Sequence, residues 1–447
     1  MLQPLDTERG DVARIAAAPT DPGSAMMAVI AELFPICRSI SGNGLRRSLS
    51  ILQDRIPLKM HEVPSGTPVL DWTVPKEWNI RSAYIQTLEG RRVIDFADCT
   101  LHILQYSRPV DEVLPIEELQ RHLYSLPETP EWVPYRTAYY ANTWGFCLSQ
   151  RQRDALTDAA YHVVIDSTLE DGHLTYGELV LPGASDDEVL FSCHCCHPSL
   201  ANDNLSGMAI SMMLAQHLMT VPRRFTYRFL FIPGTIGSIT WLAQNEAIVS
   251  RIRHGLVLSC LGDAGSSTYK QSRRGSAPID RYIEHVLRHS GSPYKILPFS
   301  PYGYDERQYC SPGFDLPVGC FMRSPNGSFP EYHTSADNLQ FVRPDSLRNS
   351  LEKLKRVLEI IEGDVTYRNL NPKGEPQLGR RGLYKSIGGE TTADAFDQMA
   401  LLWVLNLSDG CHSLFQIAER SGLAFSCIKA AADALASKGM LEPVMDR

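Results

Sequence analysis

Phe191-Ser-Cys-His-Cys-Cys-His-Pro-Ser-Leu-Ala-Asn-Asp-Asn-Leu-Ser-Gly207 packs more coordinating side chains into one short segment than any other part of the chain. It follows the apolar run Val189-Leu190-Phe191, short enough for a buried strand. It leads into Met208-Ala-Ile-Ser-Met-Met-Leu-Ala-Gln-His-Leu218, which reads as a helix. His197 and Asp203 therefore fall between the carboxyl end of a strand and the start of a helix, where open α/β sheets hold ligands. Imidazole nitrogen and carboxylate oxygen together suit a zinc-type cation. Taken alone, one His and one Asp read more plainly as a Cys-rich strand end with buried thiols and a solvated turn. A structural zinc knot built from Cys193, Cys195, Cys196, His194 and His197 would lack the two separated ligand pairs such knots use.

At 447 residues the chain exceeds what one core usually serves, and two or three domains are expected. Hydrophobic content of 43% with 21% charged residues is that of an ordinary soluble protein. A net charge of −8 offers no field for nucleic acid or an anionic membrane surface. No apolar run approaches the length of a bilayer span, and the first residues lack a basic flank followed by an apolar block. A cytoplasmic protein is expected, with its 11 scattered cysteines reduced.

Residues 1–24 read as a loose arm, followed by helical spacing over 25–36 and 44–54. From Leu58 to about Val164 short β-rich pieces are broken by Pro and Gly: Lys59–Val63, Ala83–Thr87, Arg92–Phe96 and Leu101–Tyr106. They suggest an all-β module. Its aromatics, Trp72, Trp78, Trp132, Tyr135, Tyr139, Tyr140 and Trp144, read as core rather than a binding face. From about Tyr161 strands alternate with helices, as in a layered α/β domain. Phe225–Ile232 is a predicted strand followed by the turn Pro233-Gly-Thr-Ile-Gly237 and a helix over 238–249. Leu256–Cys260 is another strand, so Asp263 ends a strand as His197 does. Helices over 280–289 and 345–361 flank a strand at Pro317–Met322. A polar link from about Asp364 to Glu390 leads to a helix over 395–405. Beyond it, Leu414–Leu423 and Ile428–Lys438 have the form of a helix-turn-helix. Four basic against seven acidic residues over 391–447 leave that tail at −3, too acidic to grip a phosphate backbone. A protein partner or a second copy of the chain is the expected contact.

The second ligand-bearing segment is Phe329-Pro-Glu-Tyr-His-Thr-Ser-Ala-Asp-Asn338. If extended, it points Glu331 and His333 to one side. His197, Asp203, Asp263 and His333 would then form a cluster for one or two divalent cations, with Asp203 the natural bridge.

With these residues in view, the chain resembles M28-type zinc aminopeptidases. More closely it is similar to the aminopeptidase-like family of domains of unknown function 4910 and 2172 with a C-terminal winged helix. The likeness runs through Phe34-Pro-Ile-Cys-Arg-Ser-Ile-Ser-Gly-Asn-Gly44, Val63-Pro-Ser-Gly66, Asp71-Trp-Thr-Val-Pro75, Trp144-Gly-Phe-Cys147, Cys196-His-Pro-Ser199, Ser311-Pro-Gly-Phe314 and Pro330-Glu-Tyr-His-Thr-Ser335. The resemblance implies a zinc-peptidase-like three-layer α/β domain (1–62 and 161–380), an inserted β-rich domain (63–160) and a winged helix-turn-helix domain (390–447). It also implies a link to surface polysaccharide biosynthesis.

Carried over position by position, Asp203 would bridge two zinc ions, with His197 and Asp263 on one and His333 on the other. His194 and His197 both remain candidates for the first ligand. His197 beside Pro198 fits the closer family, whereas His194 fits a His-x-Asp spacing whose Asp has become Cys196. Gly234 departs from the family, which carries Glu there as ligand or general base.

The expected activity is hydrolysis of a peptide or other amide-containing small molecule by metal-activated water. Glu331 is the candidate substitute base, and Asp305, Arg307 and Gln308 are candidate substrate contacts. The rival from another class is a silent peptidase-like scaffold, for which Gly234 is the best argument. A DNA-binding regulator is disfavoured by the acidic tail.

Overall fold

A computed structural model of the protein describes residues 21–383 and 398–444. Residues 1–20 of the arm expected over 1–24, and the parts of the link and following helix over 384–397, lie outside the described residues, while residues 22–24 open the first helix and are not part of a loose arm.

The central strand, Glu188–His194, is buried at every position. It is paired in parallel on both edges, with Thr226–Ile232 and with Ile252–Leu258. Such a strand is covered on both faces, which is why its sequence is a continuous apolar run and not an alternating one. Eight strands form the sheet, in the order Lys59–Pro64, His173–Leu181, Thr226–Ile232, Glu188–His194, Ile252–Leu258, Val318–Met322, Ser267–Lys270 and Tyr294–Leu297. The first two are antiparallel additions at one edge. Lys59–Pro64, grouped by its local pattern with the β-rich pieces although mostly within the 1–62 part implied for the main domain, closes this edge of the main sheet.

Successive side chains on a strand face opposite sides. Phe191 and Cys193 enter a core shared with the helices Pro22–Leu33, Ser206–Met219, Pro278–Arg288 and Pro344–Gly363. Leu190, Leu230 and Ile232 enter a second core, shared with the helix Ile236–Gln244 and the β module. The result is a three-layer α/β domain whose second face is partly roofed by the insertion.

That insertion is a four-stranded antiparallel sheet, Arg92–Asp95, Glu77–Gln86, Ala160–Glu170 and Val110–Pro115. Its last strand reaches Glu170, ten residues into the stretch expected to belong to the main domain. The predicted strand at Leu101–Tyr106 is a 3₁₀ turn at Thr100–His102 followed by isolated bridges, Ile103 to Phe146 and Gln105 to Thr137. All six of its residues are buried, so its apolar content serves burial in an irregular segment. Trp78 and Trp144 are core as expected, but Trp72 and Tyr140 are half exposed.

At the C-terminus the helices Gln398–Leu407, Leu414–Ser421 and Phe425–Ser437 pack with a three-stranded sheet, Asp409–Ser413, Thr366–Asn369 and Leu441–Pro443. The expected link thus supplies the middle strand of the winged helix. Phe425, which opens the second helix of the helix-turn-helix, donates its N–H to Nε2 of His285 at 3.0 Å. Among the described residues no helix is long and apolar enough to cross a membrane.

Candidate metal centre

The chain leaves the central strand at His194 and enters a buried turn at Ala201–Leu205 before the helix that begins at Ser206. His194 Nε2 lies 2.7 Å from Oδ1 of Asp203. His197 Nδ1 is 3.2 Å from Oδ2 of the same carboxylate, and His333 Nε2 is 3.0 Å from that oxygen. One ligand atom from each of His194, His197 and Asp203 lies within 4.8 Å of the others. Both histidines between which the resemblance left a choice therefore reach the cluster.

Neighbouring groups hold these rings and the carboxylate in place. Tyr304 donates its hydroxyl to Oδ1 of Asp203 at 2.8 Å and stacks on His194, with ring centroids 4.3 Å apart. Tyr332 bonds the Tyr304 hydroxyl at 2.9 Å and stacks on His333 at 3.9 Å. The Asp337 carboxylate accepts the backbone N–H groups of Asn202 and Asp203 at 2.6 and 2.9 Å. Arg38, fully buried, donates from Nε and Nη2 to the carbonyl of His197 at 3.1 and 2.9 Å, and from Nη1 to the carbonyl of Leu33. The β module forms one wall. Tyr135 donates its N–H to the His333 carbonyl at 2.8 Å, and its ring meets His197 and His333 edge-on at 5.0 and 5.1 Å.

The donor set fits a cation. Asp203 Oδ2 and His333 Nε2 are both buried and make no hydrogen bond, although they lie only 3.0 Å apart. Buried polar atoms left this way are costly without a further partner. Three imidazoles around one carboxylate are a normal zinc set. Burial disfavours the charged Asp203 carboxylate, but His197 and His194 outweigh it and hold the group well below the usual carboxylate range. Burial also opposes a proton on His197, and Asp203 reverses that, raising it well above an ordinary imidazole.

The other expected residues are placed less uniformly. Asp263 lies outside the cluster. Its Oδ1 accepts from Ser324 Oγ at 2.7 Å and Gly265 N at 2.6 Å, and its Oδ2 from Asn202 Nδ2 at 2.9 Å and Ser324 N at 3.2 Å. It braces the residue preceding Asp203. Glu331 and His333 lie in a turn, not a strand, and His333 sits at a φ of 57°. The two-residue alternation expected to aim both at one point does not operate there. Glu331 is half-buried. Arg307 is partly buried, with Nε unpaired, and Gln308 is likewise partly buried. Asp337, Tyr304, Arg38 and Tyr135 were not expected at the site. Arg38 and Asp337 lay within quoted family stretches or beside His333, but they act through backbone groups, which no residue spacing reveals.

Asp305 is fully buried, accepts from Ser238 Oγ at 2.8 Å through Oδ1, and leaves Oδ2 unpaired. Burial, with a smaller push from Glu306, raises its pKa to about 7. The folded protein then holds a proton that the unfolded chain, with an ordinary aspartate near pKa 3.8, releases. Stability must fall as pH rises from about 4 to 7, because the folded state binds more protons there. Asp305→Asn is expected to remove this decline and to be more stable than wild type at pH 8 by roughly 3–5 kcal/mol. Urea denaturation of both proteins across pH 4 to 8 measures it, and parallel curves would refute it.

Together, the sheet, the flanking helices and the histidine-aspartate cluster define an aminopeptidase-like α/β protein with a C-terminal winged helix. The chain belongs to the family described as Domain of unknown function (DUF4910), whose model matches residues 27–364. A winged helix-turn-helix model matches residues 365–443. A Clostridium acetobutylicum protein named "Putative polysaccharide biosynthesis protein with aminopeptidase-like domain" is 50% identical over 416 residues, 93% of this chain and 95% of its own length. A crystal structure of a peptidase-like protein from the same organism matches at a TM-score of 0.90 and 49% identity, covering 94% of this chain and 96% of that one. A zinc aminopeptidase from Bacillus subtilis shares the fold at a TM-score of 0.57 and 13% identity, covering 77% of this chain and 96% of its own.

Proposed function

We propose that this protein is a metal-dependent hydrolase of an amide bond, with His194, His197, Asp203 and His333 holding zinc. The observation that carries this reading is the buried carboxylate contacted by three imidazoles, with Asp203 Oδ2 and His333 Nε2 lacking hydrogen bonds. Bound there, zinc would polarise a carbonyl and lower the pKa of water. The chain's own contribution is to hold the ligands. Tyr304 fixes one Asp203 oxygen, Asp337 fixes the backbone on either side of Asn202, and Arg38 fixes the His197 carbonyl. Tyr135 of the β module packs edge-on against the His197 and His333 rings and holds their orientation. Peptides or small amide-containing molecules are the proposed substrates, and the relative named for polysaccharide biosynthesis supports a place in that process.

The test combines zinc analysis with release of amine from aminoacyl 4-nitroanilides. Wild type should contain zinc and turn over. His333→Ala should lose at least about 100-fold in turnover, given that even outer-shell changes at metal sites cost 10–100-fold. Zinc without turnover in wild type would instead favour a silent scaffold, a reading that Gly234 supports because it lacks the carboxylate of the resembled family.

The eleven cysteines are all unpaired, which supports a reducing compartment, and we propose the cytoplasm. The winged helix is proposed to serve protein contact and not DNA. Supporting this, the N-terminus of its second helix is held against His285, and Arg281 pairs with Glu419 on its first.

A further inference from the structure

Beyond the cluster, Asp305 and Glu306 each keep a buried carboxylate oxygen without a hydrogen bond. Glu306 is neutralised by Lys270 at 2.8 Å, whereas Asp305 has no ion pair among the described residues. Its surroundings say where that free oxygen can act. A Cβ built on Gly234 would lie 3.1 Å from Cβ of His194 and 3.6 Å from each Asp305 carboxylate oxygen. Both side chains thus border the position that a side chain at 234 would take. Gly234 also lines a cavity of about 240 Å³ together with Ile40, Trp72, Tyr139 and Ile236, so this place adjoins a route for an apolar group. The strand end carrying His194 and the loop carrying Asp305 are distant in sequence, and nothing in either segment announces their approach.

We propose that Asp305, acting across the space above Gly234, is the acid-base residue of the amide hydrolysis. This rests on the hydrolase reading. As the oxygen of water bonds to the amide carbonyl carbon, one water proton passes to Oδ2 of Asp305 and the carbonyl π pair moves to its oxygen. When that pair returns and the C–N bond breaks, Asp305 gives the proton to the departing nitrogen and is again a carboxylate. One water is consumed, and no other reactant is needed. A group that both takes and returns a proton works best when its proton affinity is near the working pH, and the burial of Asp305 moves it in that direction. Glu331, the other carboxylate considered for this role, lies in a half-buried turn whose backbone carbonyl accepts from the Thr334 hydroxyl and N–H at 2.8 and 3.1 Å.

The test compares zinc-loaded wild type, Asp305→Asn and Glu331→Gln on L-leucine 4-nitroanilide and a set of other aminoacyl anilides. Zinc affinity is measured in parallel by competition with a chromophoric chelator. For Asp305→Asn, kcat should fall at least about 100-fold, within the range for losing an acid-base group. KM should stay within about threefold and zinc affinity within about twofold, and the acid limb of the kcat/KM profile should disappear. Glu331→Gln should keep kcat within about fivefold. The proposal is overturned if Asp305→Asn keeps kcat within that margin, if it loses zinc about tenfold, or if Glu331→Gln abolishes the acid limb instead. Wild type that binds zinc but hydrolyses none of the anilides overturns the hydrolase reading itself, and the role of Asp305 with it.

Discussion

Asp203→Ala is expected to lower zinc affinity by at least about 100-fold, a larger loss than removal of any single histidine, because outer-shell changes alone cost 10–100-fold. The reason is geometric. His194, His197 and His333 each lie within 3.2 Å of this one carboxylate, so it is the common partner of all three rings. It also carries the cluster's negative charge, held ionised against complete burial by His197 and His194. Removing it leaves a cation with neutral donors only and takes away the one anionic ligand of the cluster. Asp203→Asn keeps the shape and one oxygen but not the charge, and should fall between wild type and Asp203→Ala. Chelator competition with the three proteins checks the order. Equal affinities would mean that zinc, if bound, sits elsewhere.

The second large effect is expected at a residue that touches no ligand side chain. Arg38 is entirely buried, and burial lowers its pKa to about 10, still high enough to keep it charged at neutral pH. Its guanidinium ties the end of the helix Pro22–Leu33 to the backbone of His197. Arg38→Ala strands the Leu33 and His197 carbonyls and opens a large void. A destabilisation of about 3–5 kcal/mol is expected, as for other broken buried charge contacts. Zinc affinity should drop about 10–100-fold, because His197 loses the bonds that orient its backbone. Arg38→Lys keeps the charge but not the planar fork that spans two carbonyls, and should recover only part of either loss. Urea unfolding together with zinc titration separates the stability effect from the affinity effect. A variant as stable as wild type would show that the His197 loop holds its shape without this arginine.

Much of the architecture was legible in the chain. The run around Phe191, the strand at Thr226–Ile232 and the helix Pro344–Gly363 carried clear apolar patterns, and each appears within a few residues of its predicted span. Two short strands joined sheets that their local pattern did not suggest, for one reason. Lys59–Pro64 and Thr366–Asn369 are short strands whose partners lie far along the chain, at His173–Leu181 and at Leu441–Pro443. A strand's residues record that it pairs but not with which sheet. Likewise Leu101–Tyr106 read as a strand from its apolar residues, but all six residues are buried in an irregular segment, and burial alone does not fix a strand.

At the site, the residue types that matter were visible without coordinates: His194, His197, Asp203 and His333 stand in two short segments rich in ligands. Their chemistry belongs to the side chains, and a sequence states side chains directly. What only the folded chain decided was direction. It turned Asp263 toward Ser324 and away from the cluster and placed His333 in a turn that breaks its phase with Glu331. It also brought Tyr135 from the insertion onto His197 and His333, and Arg38 from the loop between the first two helices onto the His197 carbonyl. Contacts between distant segments are set by how the layers pack, and packing depends on the whole set of buried surfaces together.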